Sequence, residues 1–193
     1  MTEHMLAVPP PWDRIIFTGF RGTGKSAVGR KIAEQTGFIF FDTDDTLEEE
    51  LGCTVCDYVR RAGWPVFREK ERRLLARLAG VRPAVIATGG GAIMHQAEWQ
   101  SLRQNSRVIW LRATAATIRQ RLDQDCETAT QRPSLTGCDP LAEIESVLAT
   151  REPLYRAGSD ISIDTDGRTQ DEIVALICEF LAEDADNLEL GIK

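Results

Sequence analysis

The stretch Gly19-Phe20-Arg21-Gly22-Thr23-Gly24-Lys25-Ser26 fits G-x-x-x-x-G-K-[ST], the pattern of a phosphate-binding loop. Its residue types suit that chemistry. Glycines let the backbone bend sharply and turn several N–H groups onto phosphate oxygens. A lysine can reach the β- and γ-phosphates of a nucleotide as a mobile point charge, and a serine hydroxyl can ligate Mg²⁺. The candidate nucleotide contacts are therefore Gly22, Thr23, Gly24, Lys25, Ser26 and Ala27, with Lys25 also a candidate for phosphoryl transfer itself. The flanks agree. Ile15-Ile16-Phe17-Thr18 reads as a buried strand, and Ala27 to Thr36 reads as a helix with Val28 and Ile32 at i and i+4. A helix N-terminus aimed at the loop adds its positive dipole end.

Other residues with chemical potential sit at the ends of apolar runs. Phe38-Ile39-Phe40-Phe41 reads as a second strand and ends in Asp42-Thr43-Asp44-Asp45. In an open α/β sheet the carboxyl ends of the strands face the ligand crevice. Asp42 and Asp44 are thus candidates for holding Mg²⁺ or a substrate hydroxyl, while Asp45 is expected to cap a helix over 46–51. A third strand, Ala84 to Thr88, closes in Gly89-Gly90-Gly91, which suggests a backbone that a ligand approaches closely. Arg68, Arg72 and Arg73 fall on a helix expected from Pro65 to Leu78, among Glu69, Lys70 and Glu71. From spacing alone they read as a solvated face with i,i+4 charge pairs. The polar stretch from Asp123 to Asp139 loses apolar periodicity and contains Arg132-Pro133. A loop of that length in a compact domain is usually functional or mobile, and a lid over the phosphates is the natural candidate.

The remaining elements complete a β-α alternation. The pattern predicts helices around Gln96–Gln104, Thr114–Leu122 and Pro140–Leu148, the last running on toward Arg156. It predicts strands at Arg107–Leu111 and Ile161–Asp164, then a last helix from a Thr169/Glu172 capping box to Ala182 and a frayed tail from Asp184. The implied architecture is a three-layer α/β/α fold around a parallel sheet with right-handed crossovers.

Composition bounds the alternatives. A chain of 193 residues suits one domain, and its net charge of −7 argues against non-specific nucleic-acid binding. No stretch has the apolar length of a membrane span, and Met1 to Trp12 lacks the basic, apolar and cleavable parts of a signal, so a cytoplasmic location is expected. Cys53-Thr54-Val55-Cys56 has the spacing of half a zinc site or a redox pair. There is no second C-x-x-C, and the only histidines are His4 and His95. Thr54 with Asp57 looks like a helix cap, so the five cysteines are expected to be reduced structural thiols.

Together, Asp42-x-Asp44, Phe67-Arg68-x-x-Glu71, Thr88-Gly89-Gly90-Gly91-Ala92, Arg132-Pro133 and Arg151-x-Pro153-Leu154-Tyr155-Arg156 follow the P-loop in an order that resembles shikimate kinases. The resemblance runs from about Arg14 to Ala182. It implies ATP-dependent phosphorylation of the 3-hydroxyl of shikimate, and a five-stranded parallel sheet of order 2-3-1-4-5. One domain is expected, with a core over 13–183, a small helical substrate-binding region over 44–80 and a mobile lid over 123–139. By position, the resemblance implies that Asp44 holds the ring hydroxyls and orients the nucleophile, and that Arg68 and Arg151 grip the carboxylate. Gly89, Gly90 and Gly91 would offer backbone contacts, and Arg132 would reach the transferring phosphoryl group. Asp42 would support Mg²⁺ through water, Ser26 would ligate it, and Arg119 would stack on adenine. A monomer is implied. Two positions depart from the family's habit: Trp64 follows Gly63 where glutamate is common, and Ser134 follows Pro133 where leucine is common. The nearest rivals are a gluconate-type sugar-acid kinase and a nucleotide-binding regulator without catalysis.

Overall fold

The structure, a computed structural model, describes residues 6, 8, 11–124 and 140–189. Strand β1 (Arg14–Thr18) is buried at every position, as a strand covered on both faces must be. It lies at the centre of a parallel sheet of order β2-β3-β1-β4-β5, formed with β2 (Ile39–Asp42), β3 (Ala84–Ala87), β4 (Ser106–Arg112) and β5 (Ile161–Asp164). Phe17 pairs with Ala87 on one side and Ile109 on the other; β3 ends there and β4 runs on to Arg112, and because the strands are parallel their following loops open on one edge.

The pleat sends alternate residues to opposite layers. Ile15 and Phe17 pack with Val28 and Ile32 of α1 (Lys25–Thr36) and with Ile173 and Ile177 of α8 (Gln170–Glu189). Ile16 faces the other way, onto Leu74 and Leu75 of α4 (Trp64–Leu78) and Trp99 and Leu102 of α5 (Gln96–Leu102). The β2-to-β3 crossover holds α2 (Thr43–Leu51), α3 (Val55–Ala62) and α4, which together wall one side of the crevice. α6 (Ala115–Gln124) and α7 (Pro140–Gly158) cover the opposite side through a small cluster of Phe20, Ile118 and Ile144. Fully buried Arg14 ties these layers together, donating to the carbonyls of Leu78 at 2.9 Å and Gln104 at 3.0 Å.

Local sequence signals account for most helix ends. Gly37 closes α1 in the left-handed conformation at φ 70°, with its N–H on the Ala33 carbonyl. Thr54 caps α3 by accepting from the Asp57 N–H, and Thr169 and Glu172 cap α8 reciprocally. Two expectations need correction and one holds. α2 starts at Thr43 with Asp42 as its cap, because the Asp42 carboxylate accepts from the N–H groups of Asp44 and Asp45; Asp45 is itself inside the helix. α7 runs on past Arg156 as expected, unbroken through Pro153, with the helical face that buries Ile144 continuing to Tyr155. α8 extends to Glu189 rather than ending near Ala182, since neither glycine nor proline interrupts the chain before Gly191. Among the described residues no helix is long and apolar enough to cross a membrane.

Candidate active site

The loop after β1 turns through two glycines that no other residue could replace cheaply. Gly19 has φ 136°, and a Cβ there would lie 2.2 Å from the Leu111 carbonyl oxygen. Gly24 has φ 88° at the N-cap of α1, leaving the N–H groups of the first turn unpaired by the helix itself. The Phe20 carbonyl knots the loop, accepting from Thr23 Oγ1 at 2.8 Å and from Lys25 Nζ at 2.7 Å. Lys25 is only 8% exposed, so its ammonium already lies along the loop where phosphates would sit. Ser26 Oγ donates to Asp42 Oδ2 at 2.5 Å, while Asp42 Oδ1 accepts the Asp44 N–H at 2.9 Å. The cap thus fixes one carboxylate oxygen and aims the other at the serine.

That oxygen pair suits Mg²⁺. Among the described residues no group of three His, Cys, Asp or Glu side chains is gathered to hold a metal. Two oxygens beside a phosphate loop are what Mg²⁺ needs, because it takes most of its shell from phosphates and water. Cys53 and Cys56 remain free thiols, as expected.

Beside the loop, Asp44, Trp64, Arg68, Gly90, Gly91 and Arg151 line one cleft, joined by Phe20 and Arg21. The structure therefore gathers residues spread over more than 100 positions of sequence. Arg68 Nη1 donates to Glu71 Oε2 at 2.6 Å, and its guanidinium stacks 4.9 Å from the Trp64 ring. Glu71 also accepts from His95 Nε2 at 2.9 Å. Across the cleft, Arg151 Nη1 and the Tyr155 hydroxyl donate to the Gly90 carbonyl at 3.0 and 2.6 Å. Burial pushes the Tyr155 hydroxyl up to about 12, so it is a donor throughout the neutral range. Gly89 lies beneath the cleft; a Cβ there would be 2.8 Å from Asp44 Oδ1 and 3.1 Å from Glu71 Oε1.

Two assignments stand apart from this cluster. Arg119 on α6 donates to Asp123 at 2.7 Å. Its neighbour Arg121, to which the sequence reading gave no role, donates to the Gly22 carbonyl at 3.1 Å and to Thr165 Oγ1 at 2.9 Å. Of the lid expected over 123–139, the first two positions belong to α6, and the rest, with Arg132 and Ser134, lies outside the described residues. Glu71 also escaped assignment, though one signal was legible. It shares the buried face of α4 with Phe67, Leu74, Leu75 and Leu78, where an acidic residue needs a reason. No local pattern pointed to His95.

The model of the shikimate kinase family matches residues 21–182, most of the chain. The chain belongs to the shikimate kinase family. Relatives in the family match along most of their own length. The shikimate kinase of Oleidesulfovibrio alaskensis is 41% identical over 152 residues, covering 79% of this chain and 88% of that protein. That of Moorella thermoacetica is 41% identical over 167 residues, covering 86% and 93%. The solved shikimate kinase from Acinetobacter baumannii, in complex with shikimate, superposes with a TM-score of 0.83 at 29% identity, covering 90% of this chain and 95% of that one. A gluconokinase from Sinorhizobium meliloti reaches a TM-score of only 0.57 at 21% identity, a likeness of fold alone.

Proposed function

We propose that the chain is a shikimate kinase, transferring the γ-phosphoryl group of ATP to the 3-hydroxyl of shikimate. The observation that carries this reading is the cleft itself: a phosphate loop abutting a pocket that Asp44, Arg68 and Arg151 line together. Shikimate presents one carboxylate and three hydroxyls. Arginine forks bind carboxylates bidentately, and an aspartate accepts hydrogen bonds from adjacent hydroxyls.

The roles follow from position. Arg68 and Arg151 hold the carboxylate, with backbone contacts from the Gly89–Gly91 loop. Asp44 accepts the hydrogen bonds of the ring hydroxyls and takes the proton of the attacking one. Its reach is set by Gly89, which leaves room for the carboxylate against the loop backbone. The shikimate oxygen then forms a bond to the γ-phosphorus as the bond to the β-phosphate oxygen breaks. The N–H groups of 22–27 cradle the phosphates, Lys25 leaves the Phe20 carbonyl for the β- and γ-oxygens, and Arg132 adds charge from a lid over 123–139. Ser26 and Asp42 hold Mg²⁺, which neutralises phosphate charge when bound. Arg119 stacks on adenine. The enzyme works as a single domain, a cytoplasmic monomer.

The test is turnover by the purified protein with Mg·ATP, alone and with shikimate, quinate or gluconate. ADP release that requires shikimate and yields shikimate 3-phosphate is expected. Gluconate-dependent turnover, or ATP binding with no acceptor used, would overturn the reading.

A further inference from the structure

We propose that His95 is a positioning residue for substrate carboxylate recognition, acting through Glu71 on Arg68. The inference rests on the reading of Arg68 as the carboxylate ligand. Glu71 is 2% exposed, and a carboxylate so buried needs hydrogen-bond donors. Its Oε2 receives two, from Arg68 Nη1 at 2.6 Å and from His95 Nε2 at 2.9 Å. An ionised carboxylate only accepts, so His95 Nε2 carries the proton. Oε1 lies against the backbone of Gly89, where an added Cβ would be 3.1 Å away.

One oxygen thus divides itself between an arginine at the cleft wall and a histidine that does not line the cleft. Without His95, Arg68 would be the only one of these two donors left to that oxygen. Glu71 would draw the guanidinium inward, in competition with the substrate's carboxylate for the same N–H groups. With His95 present, Arg68 needs to give Glu71 one N–H and can keep the others turned outward, flattened on Trp64 at 4.9 Å.

His95 is also held firmly enough to serve as a buttress. The loop after β3 folds into a 3₁₀ turn: Ala92 N–H bonds Gly89 O, Met94 N–H bonds Gly91 O and His95 N–H bonds Ala92 O, at 3.0, 3.0 and 3.1 Å. The His95 carbonyl then accepts the Trp99 N–H at 2.8 Å, starting α5. The loop that gives the cleft its glycines therefore also delivers the imidazole to Glu71. His95 is 12% exposed, and its glutamate partner is 24 residues away.

The test compares His95→Leu, which keeps bulk without a donor, with His95→Gln, whose amide N–H can stand where Nε2 stands. Arg68→Ala and the double variant Arg68→Ala/His95→Leu complete a cycle. His95→Leu should raise the shikimate KM about tenfold, the scale of coupling within one hydrogen-bond network, with kcat and the ATP KM held within about twofold. His95→Gln should recover most of that loss, and His95→Leu should add nothing in the Arg68→Ala background. An unchanged shikimate KM in His95→Leu, an equal rise in the ATP KM, or full additivity in the double variant would overturn the proposal. If Arg68→Ala itself left the shikimate KM unchanged, the carboxylate reading of Arg68 would fall first, and the role of His95 with it.

Discussion

Replacing Gly91 by alanine tests the cleft without removing any charged group. Gly91 has φ −95° and ψ −11°, a conformation any L-residue adopts, so the backbone tolerates the change. Space does not. The new Cβ would lie 2.1 Å from Arg68 Nη1, 2.6 Å from Cζ and 2.9 Å from Nη2. All three atoms belong to one guanidinium, so the methyl group takes the volume that the cation now fills. Arg68 has 24% of its side chain exposed and can swing away, which spares the fold. Swinging away detaches it from Glu71 and Trp64 and, on the proposed reading, from the substrate carboxylate as well. Losing one partner of a desolvated charge pair costs roughly 2–5 kcal/mol. A displaced arginine keeps part of its attraction, so the low end applies, and about 2 kcal/mol is about a 30-fold rise in the shikimate KM. Glu71 keeps its bond to His95, so the stability loss should stay near 1 kcal/mol, a fall of about 3 °C in Tm. Initial rates against shikimate at saturating ATP, with melting curves alongside, read both numbers. A folded Gly91→Ala variant with an unchanged shikimate KM would refute the placement of Arg68 at the carboxylate.

Two further expectations separate the phosphate side from the frame. Lys25→Ala should lower kcat by about 100- to 1000-fold, the cost of removing one preorganised transition-state donor, with little change in the shikimate KM. Turnover near normal would deny Lys25 its role. Tyr155 carries a pH signature. Burial raises its hydroxyl from 10.0 to about 12, so the unfolded chain loses that proton first and stability must fall as pH rises through this window. By about pH 11 the loss relative to pH 8 is about 1.4 kcal/mol. Denaturant titrations should show that slope in the wild type and lack it in Tyr155→Phe; parallel slopes would refute it.

Local chemistry made part of this site legible. A P-loop is a contiguous motif whose strand and helix are its neighbours in sequence, so Gly19 to Ser26 could be read with their purpose. Asp42 and Asp44 were legible because strand ends in parallel sheets share one edge. Their division of labour was not, since whether Asp42 or Asp45 caps α2 depends on where the strand stops, and here it stops at Asp42. Arg68 read from spacing as surface charge, and its neighbours behave so: Arg72 and Arg73 both bond Glu69 at the surface. Only the turn of α4 that puts Phe67 and Glu71 inward brings Arg68 to the cleft. Pairings such as Glu71 with His95, Arg121 with Gly22, or Arg151 with Gly90 join elements that only the assembled layers bring together. Residue types alone do not encode them.

Arg68 and Arg151, alike in sequence terms, differ in electrostatic setting. Arg68 faces an acidic partner, Glu71, at 2.6 Å. Arg151 has no carboxylate partner among the described residues, and its bond goes to the neutral carbonyl of Gly90. A charge held by a neutral acceptor keeps its full field for an incoming anion, whereas one paired with a carboxylate is largely cancelled at a distance. On a protein of net charge −7, attraction of an anion into the cleft must come from the first kind. On the proposed reading, Arg151 therefore supplies the attraction. Arg68, held on its edge by Glu71 and on its face by Trp64, would on the same reading supply the fixed fork that tells a carboxylate from another anion.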